Sequence, residues 1–228
     1  HALAHLHTRV QLTILLLMEL WQRYKRRSCF NTAKACLLTD PLCRILFGAM
    51  RSRQCPLTFG RHLACEPCDD AKLRGGFDQA SSQIVLCSNA ASLAAPDPCV
   101  TLRHELVHAF DACRAVADFD SSLDQLACTE IRAYNLAEPA SWQKPAGGHA
   151  DWVRQRAVDS VLTVRRIEQA EAETAVNRVF DRCYADLEPF GRRPLPPDPL
   201  ERAELGSAQL AAKEAKFYGY WSECQSSS

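Results

Sequence analysis

Residues 104 to 108 read His-Glu-Leu-Val-His, and this run constrains the chain more than any other. Two imidazoles at positions i and i+4 share one face of an α-helix, one turn apart, so both rings can converge on a single metal ion. Zinc suits such a donor set. Glu105 stands beside the first imidazole, where its carboxylate can accept a proton from an attacking water and later pass it to a departing amine. Leu106 and Val107 can anchor the same helix in a core. Asp97-Pro98 supplies a helix start, and no Gly or Pro follows it before residue 116, so a helix over 99–116 is predicted.

A catalytic zinc takes a third protein ligand and keeps a position for water. Two carboxylates compete for that place, Asp111 and Glu130. Asp111 lies on the face of His108, but on a continuous helix it sits roughly 7.5 Å beyond the midpoint of the two histidines, too far for a short side chain. Glu130 falls on a second predicted helix, 121–136, which can fold back and present a longer carboxylate. Glu130 is therefore the favoured third ligand and Asp111 the residue that orients a ligand from behind. The competing role for Glu130 is an ion pair with Arg132 or Arg103. The remaining histidines say less: His1 and His5 repeat the spacing without an acid beside them, and His62 reads as structural. His149 and Tyr134 are possible oxyanion donors, with a plain surface role preferred for both.

The chain holds 12 cysteines in 228 residues. An even number at this density suits a disulfide framework and an oxidising compartment. Cys65-x-x-Cys68 has the spacing of half a structural zinc site, but no second pair lies nearby. Most cysteines within residues 55 to 128 are expected to pair. Cys29, Cys36 and Cys43 recur every seven residues, which on one helix places them on one side, either as partners for a facing element or as buried thiols.

With 27 basic and 27 acidic residues the formal charge is zero, which gives no field for collecting nucleic acid, and no nucleic-acid partner is expected. The basic run Arg23, Lys25, Arg26, Arg27 reads as a solvated helix face. No stretch approaches the ~20 apolar residues that span a bilayer; Ile14 to Met18 ends at Glu19. The expected state is soluble or peripheral.

Three regions emerge. Residues 1–54 form a helical segment packed on the core, with helices over 8–27, 29–38 and 42–53, the last opened by Asp40-Pro41. Residues 55–193 form the catalytic core: Pro, Gly and Cys interrupt helical periodicity around 55–95, Gly75-Gly76 marks a turn or close approach, and Gln83 to Cys87 reads as a buried strand. Helices over 150–166 and 168–187 complete it. Residues 194–228 form a Pro-rich linker and a tail with a polar helix over 201–218. The fold class is α+β, a small sheet with a mostly helical remainder.

Beyond the zinc run, several blocks carry a resemblance: Gly75-Gly76-Phe77-Asp78, Ser82 to Asn89, Arg103 to Arg114, Ala127 to Ala133, Asn135-Leu136, Val153 to Arg165, and Cys183-Tyr184 through Arg192. Over roughly residues 29 to 193 the chain resembles the mitochondrial inner-membrane metalloproteases that process an ATP synthase subunit and assist synthase assembly, a group with relatives described as Ku-binding proteins. The resemblance implies a zincin-like metalloendopeptidase of the mitochondrial intermembrane space, peripheral to the inner membrane. It implies Zn2+ as cofactor, an ATP synthase subunit precursor and assembly intermediates as partners, and matching roles for His104, Glu105 and His108. The alternative is a non-proteolytic assembly factor on the same fold. The chain departs from the family at Asp124-Gln125, at Ala137 to Ala140 and at Trp152, so disulfide connectivity does not carry over. In related zinc peptidases an edge strand pairs with extended substrate. Gln83 to Cys87 is either that edge or a core strand with both edges covered.

Overall fold

A computed structural model describes residues 2–70, 73–89, 99–137 and 148–191. The Asp97-Pro98 helix start, the Pro-rich run after Gly191 and the helix expected over 201–218 lie outside the described residues.

The first helix, α1, runs unbroken over Ala2–Thr39, where two helices were expected. Ser28 at the supposed break leaves every backbone donor in place, so nothing stops the ladder before Asp40-Pro41, where the proline disfavours helical backbone at the residue before it. Asp40 then caps α2 (Pro41–Ser52), accepting from the Cys43 N–H at 2.9 Å with Pro41 at the first position. A short α3 (Phe59–His62) leads into β1 (Leu63–Glu66), followed by β2 (Gly75–Asp78) and β3 (Gln83–Cys87).

The sheet order is β1-β3-β2. β3 lies in the centre, parallel to β1 through Leu63↔Ile84 and antiparallel to β2 through Phe77↔Ile84. The expected strand is present with its expected bounds, but both its edges are taken, so it has no free backbone for a peptide. β2 is an edge instead. Gly75 is needed for close packing, since a Cβ there would come within 2.9 Å of the Val85 carbonyl oxygen and 3.0 Å of Thr101 Cγ2. At Gly76 a Cβ would meet nothing within 4 Å.

Four further helices follow: α4 (Val100–Arg114), α5 (Leu123–Ala137), α6 (His149–Val164) and α7 (Gln169–Ala185). Every residue of α4 from Val100 to Asp111 is buried, because the helix runs between two apolar clusters. One joins α2, β3 and α4 through Ile45, Leu46, Met50, Ile84, Leu102, Leu106 and Phe110. The other joins α5, α6 and α7 through Leu126, Ile131, Val153, Val161, Val176 and Phe180. Fully burying side chains of this size contributes about 1.5–3 kcal/mol each, enough to hold a helix that also carries six buried polar residues.

Five disulfides staple these layers: Cys29–Cys65, Cys36–Cys99, Cys55–Cys113, Cys68–Cys87 and Cys128–Cys183. All the cysteines between residues 55 and 128 are paired. Cys65 and Cys68 take different partners, which removes the metal reading of that pair. The seven-residue series splits: Cys29 and Cys36 are bonded, whereas Cys43 lies beyond the Asp40-Pro41 break and is a buried thiol.

Candidate metal centre

The one-turn spacing on α4 brings the His104 and His108 rings to 4.8 Å between centroids, edge to face. The next helix supplies the third group. Glu130 of α5 reaches across so that Oε2 lies 3.4 Å from His104 Nε2 and Oε1 lies 3.7 Å from His108 Nε2. One donor atom from each of the three side chains lies within 4.8 Å of the others. Tetrahedral bonds of 2.0–2.1 Å separate neighbouring ligand atoms by about 3.4 Å, so this spacing fits a zinc-sized ion with little adjustment. Among the described residues no other group of His, Cys, Asp and Glu meets the same criterion. Glu130 does not pair with either arginine considered from the sequence: Arg132 bonds Asp111 and Arg103 bonds Asp40.

Asp111 stands behind the cluster. The His108 Nδ1 lies 2.9 Å from Thr129 Oγ1, and the Thr129 hydroxyl donates to Asp111 Oδ2 at 2.9 Å. With its single proton committed to a carboxylate, Thr129 can only accept from His108, which places the ring proton on Nδ1. Nε2 then keeps its lone pair toward Glu130. Asp111 is itself held by Nε of Arg132 at 3.0 Å and Nε of Arg114 at 2.9 Å. The peptidase M76 family profile matches residues 27–191 of this chain, a stretch that contains the whole cluster.

The chain belongs to the peptidase M76 family.

It is 45% identical over 164 residues to a Danio rerio protein named mitochondrial inner membrane protease ATP23 homolog, an alignment covering 68% of this chain and 64% of that protein. Xenopus laevis and Homo sapiens proteins of the same name are 42% and 41% identical; the alignments cover 73% and 69% of this chain and 73% and 67% of theirs. No solved structure matches the chain.

In this M76 chain the cluster opens on a cleft of about 220 Å³. Glu105 lines it with His104, His108 and Glu130; β2 forms one wall, and Phe119, Leu126, Ser160 and Arg165 contribute to the others. Burial drives the His108 imidazole down to about 4, against the pull of Glu130. Burial alone would raise Glu130, but His108 and His104 beside it, with a hydrogen bond from Ser160, outweigh that and hold it below the ordinary carboxylate value. At neutral pH a neutral imidazole therefore faces an ionised carboxylate, a donor set suited to a cation.

Tyr134 and His149 do not line the cleft. The Tyr134 ring packs edge-on against His104 at 4.7 Å, and His149 Nδ1 lies 2.6 Å from the Tyr184 hydroxyl. His62 Nδ1 accepts from the Thr58 N–H, a local structural role as expected. Three contributors escape sequence reading. Thr129 and Ser160 are ordinary helix residues by type, and Arg132 is fully buried on a helix with its charge spread over Asp111 and Asp186. The acid-base pair Asp111 and Arg114 at i, i+3 was the one available signal of a charge network here.

Proposed function

We propose that this chain is a zinc-dependent metalloendopeptidase. The observation that carries the reading is the convergence of His104, His108 and Glu130 on one point of a cleft that Glu105 also lines. His104 Nε2, His108 Nε2 and a Glu130 carboxylate oxygen would hold the ion. Zinc, when bound there, polarises the scissile carbonyl and makes a water acidic enough to attack at neutral pH. Glu105 takes the proton from the attacking water and delivers it to the departing amine. His108 is kept in the ligating tautomer by Thr129 and Asp111, and the buried walls exclude bulk water around the reacting groups.

The substrate is an extended protein segment laid along β2. All four β2 residues line the cleft, β2 is an edge of the sheet, and Gly76 leaves open space beside it. Main-chain pairing there would set the scissile carbonyl over the three ligands. An HExxH helix lying beside a sheet whose edge strand faces the cleft supports a zincin-like arrangement.

The names of the relatives support action at the mitochondrial inner membrane, and five disulfides suit the intermembrane space. The proposed substrate is an ATP synthase subunit precursor, with a role in synthase assembly. The deciding experiment measures zinc content and cleavage of that precursor by the wild type and Glu105→Gln. About one zinc per chain in both, with cleavage lost in the variant, is expected. Cleavage retained by Glu105→Gln would remove the mechanism, and synthase assembly supported equally by both would assign the assembly role to a non-proteolytic function.

A further inference from the structure

α1 is half docked and half bare. Cys29, Ala33 and Cys36 are buried, and the Cys29–Cys65 and Cys36–Cys99 disulfides fix that half to β1 and to the residue preceding α4. From Thr13 to Tyr24 every residue is exposed. Ile14, Leu15, Leu16, Leu17, Met18, Leu20, Trp21 and Tyr24 each expose between 51% and 68% of their surface. A run of large apolar residues left to water on this scale marks a contact surface. At helical spacing Ile14, Leu17, Met18 and Trp21 form one face flanked by Leu20 and Tyr24, while Glu19, Gln22, Arg23 and Arg26 fall on the other. Leu15 and Leu16 fall within the polar face, and Lys25 falls on the apolar one, beside Trp21.

Charge decides the occupant. Arg23, Lys25, Arg26 and Arg27 follow directly on the apolar run, and Glu19 is the single acidic residue between Thr13 and Thr39. The Lys25 ammonium lies 5.0 Å from the centre of the Trp21 ring, so the aromatic and basic groups meet at one end of the apolar face. A second copy of the helix has no acidic counterpart for that cluster: parallel pairing opposes cation to cation, and antiparallel pairing sets cations on leucines. An anionic bilayer satisfies both halves, with acyl chains for the leucines, headgroup depth for Trp21 and Tyr24, and lipid phosphate for the cations. Among the described residues no helix is long and apolar enough to cross a membrane, which leaves a helix lying in the surface.

We propose that residues 13–27 of α1 are an interfacial anchor that binds anionic lipid bilayers. The stretch is about 22 Å long, and the two disulfides of the docked half of α1 transmit the orientation of the anchor to the body that holds the cleft. The basic run read from sequence as a solvated face is then a headgroup-binding one. This inference is independent of the peptidase reading, and its test does not use the cleft.

The full chain is sedimented with vesicles of phosphatidylcholine alone and of phosphatidylcholine and phosphatidylglycerol in equal parts. Wild type is expected to sediment with the anionic vesicles and to be released as salt screens the cations. Leu17→Glu combined with Trp21→Glu should lower partitioning roughly tenfold or more. Arg23→Glu with Arg26→Glu should abolish the preference for anionic over neutral vesicles. All four side chains are exposed, so unchanged melting temperatures will show that both variants fold. Wild type remaining in the supernatant with both vesicles, or sedimenting no better than the Leu17/Trp21 variant, overturns the proposal. A wild-type dimer that ignores vesicles and falls apart in that variant assigns the face to a second copy and overturns it equally.

Discussion

His108 and Asp111 lie three residues apart on α4, yet their link passes through another helix: Thr129 of α5 stands 2.9 Å from each. Asp111 is anchored in turn by Arg132 and Arg114, which also hold Asp186 and Glu188 after α7. The proton on one imidazole is thus set by a network that reaches the end of the described fold. An orienting carboxylate acting through a hydroxyl fixes the ring tautomer without adding a formal charge to the cluster.

Thr129→Ala should therefore weaken zinc binding about 10–100-fold, and Thr129→Ser should restore most of it. Competition against a zinc chelator of known affinity measures both. Equal affinity in the alanine variant and the wild type would show that Thr129 merely packs beside His108.

The paired cysteines set a second expectation. Peptide mapping without reduction should return the five bonds named above. Bonds that close loops of 19 to 63 residues are worth about 3–4 kcal/mol each in the chain-entropy account. Reduction should therefore lower the melting temperature sharply. Free thiols at Cys65 and Cys68 that bind zinc would reverse the reading of that pair.

The parts legible in the sequence are those that short-range chemistry decides. Asp40-Pro41 starts α2 because a cap and a fixed φ act within one turn, and the His-Glu-Leu-Val-His run implies a helix because only nearby spacing matters. That Glu130 rather than Asp111 lies against the two imidazoles follows from reach alone. The order β1-β3-β2 could not be read, since nothing local to Gln83–Cys87 records which strands flank it. Cysteine partners likewise depend on how distant segments meet. Arg132 escaped because a buried arginine looks like a surface one until its carboxylates are placed. The continuity of α1 was missed for the opposite reason, a break inferred where no residue imposes one.

Gly75 and Gly76 should behave differently on replacement by alanine. Gly75→Ala drives a methyl into the Val85 carbonyl and Thr101, and overpacking of this kind costs about 1–3 kcal/mol. Gly76→Ala meets open space and should leave stability nearly unchanged, but the added methyl stands beside the edge proposed for substrate. Urea denaturation separates the two, and a raised KM in Gly76→Ala at unchanged stability would support strand addition at β2. An unchanged KM with peptides of any length would count against it.

Asp186 gives a prediction in which the sign with pH is the test. Arg114 Nη2 lies 2.5 Å and Arg132 Nη1 2.7 Å from its two oxygens. Partial burial pushes this carboxyl up, and the hydrogen bond from Arg114 with the charge of Arg132 outweighs that, leaving it below the ordinary value of 3.8. A group depressed on folding stabilises the native state above its unfolded pKa, and this contribution is lost as pH falls through the folded value. Asp186→Asn keeps the shape and removes the charge that faces Arg132, whose side chain is fully buried. At pH 7 it should cost about 1–3 kcal/mol, and the gap between variant and wild type should close below about pH 4. Urea midpoints across this range measure it. A gap that stays constant into acid would mean that the carboxylate contributes through packing, and that the charge network behind His108 is held by Asp111 and Glu188.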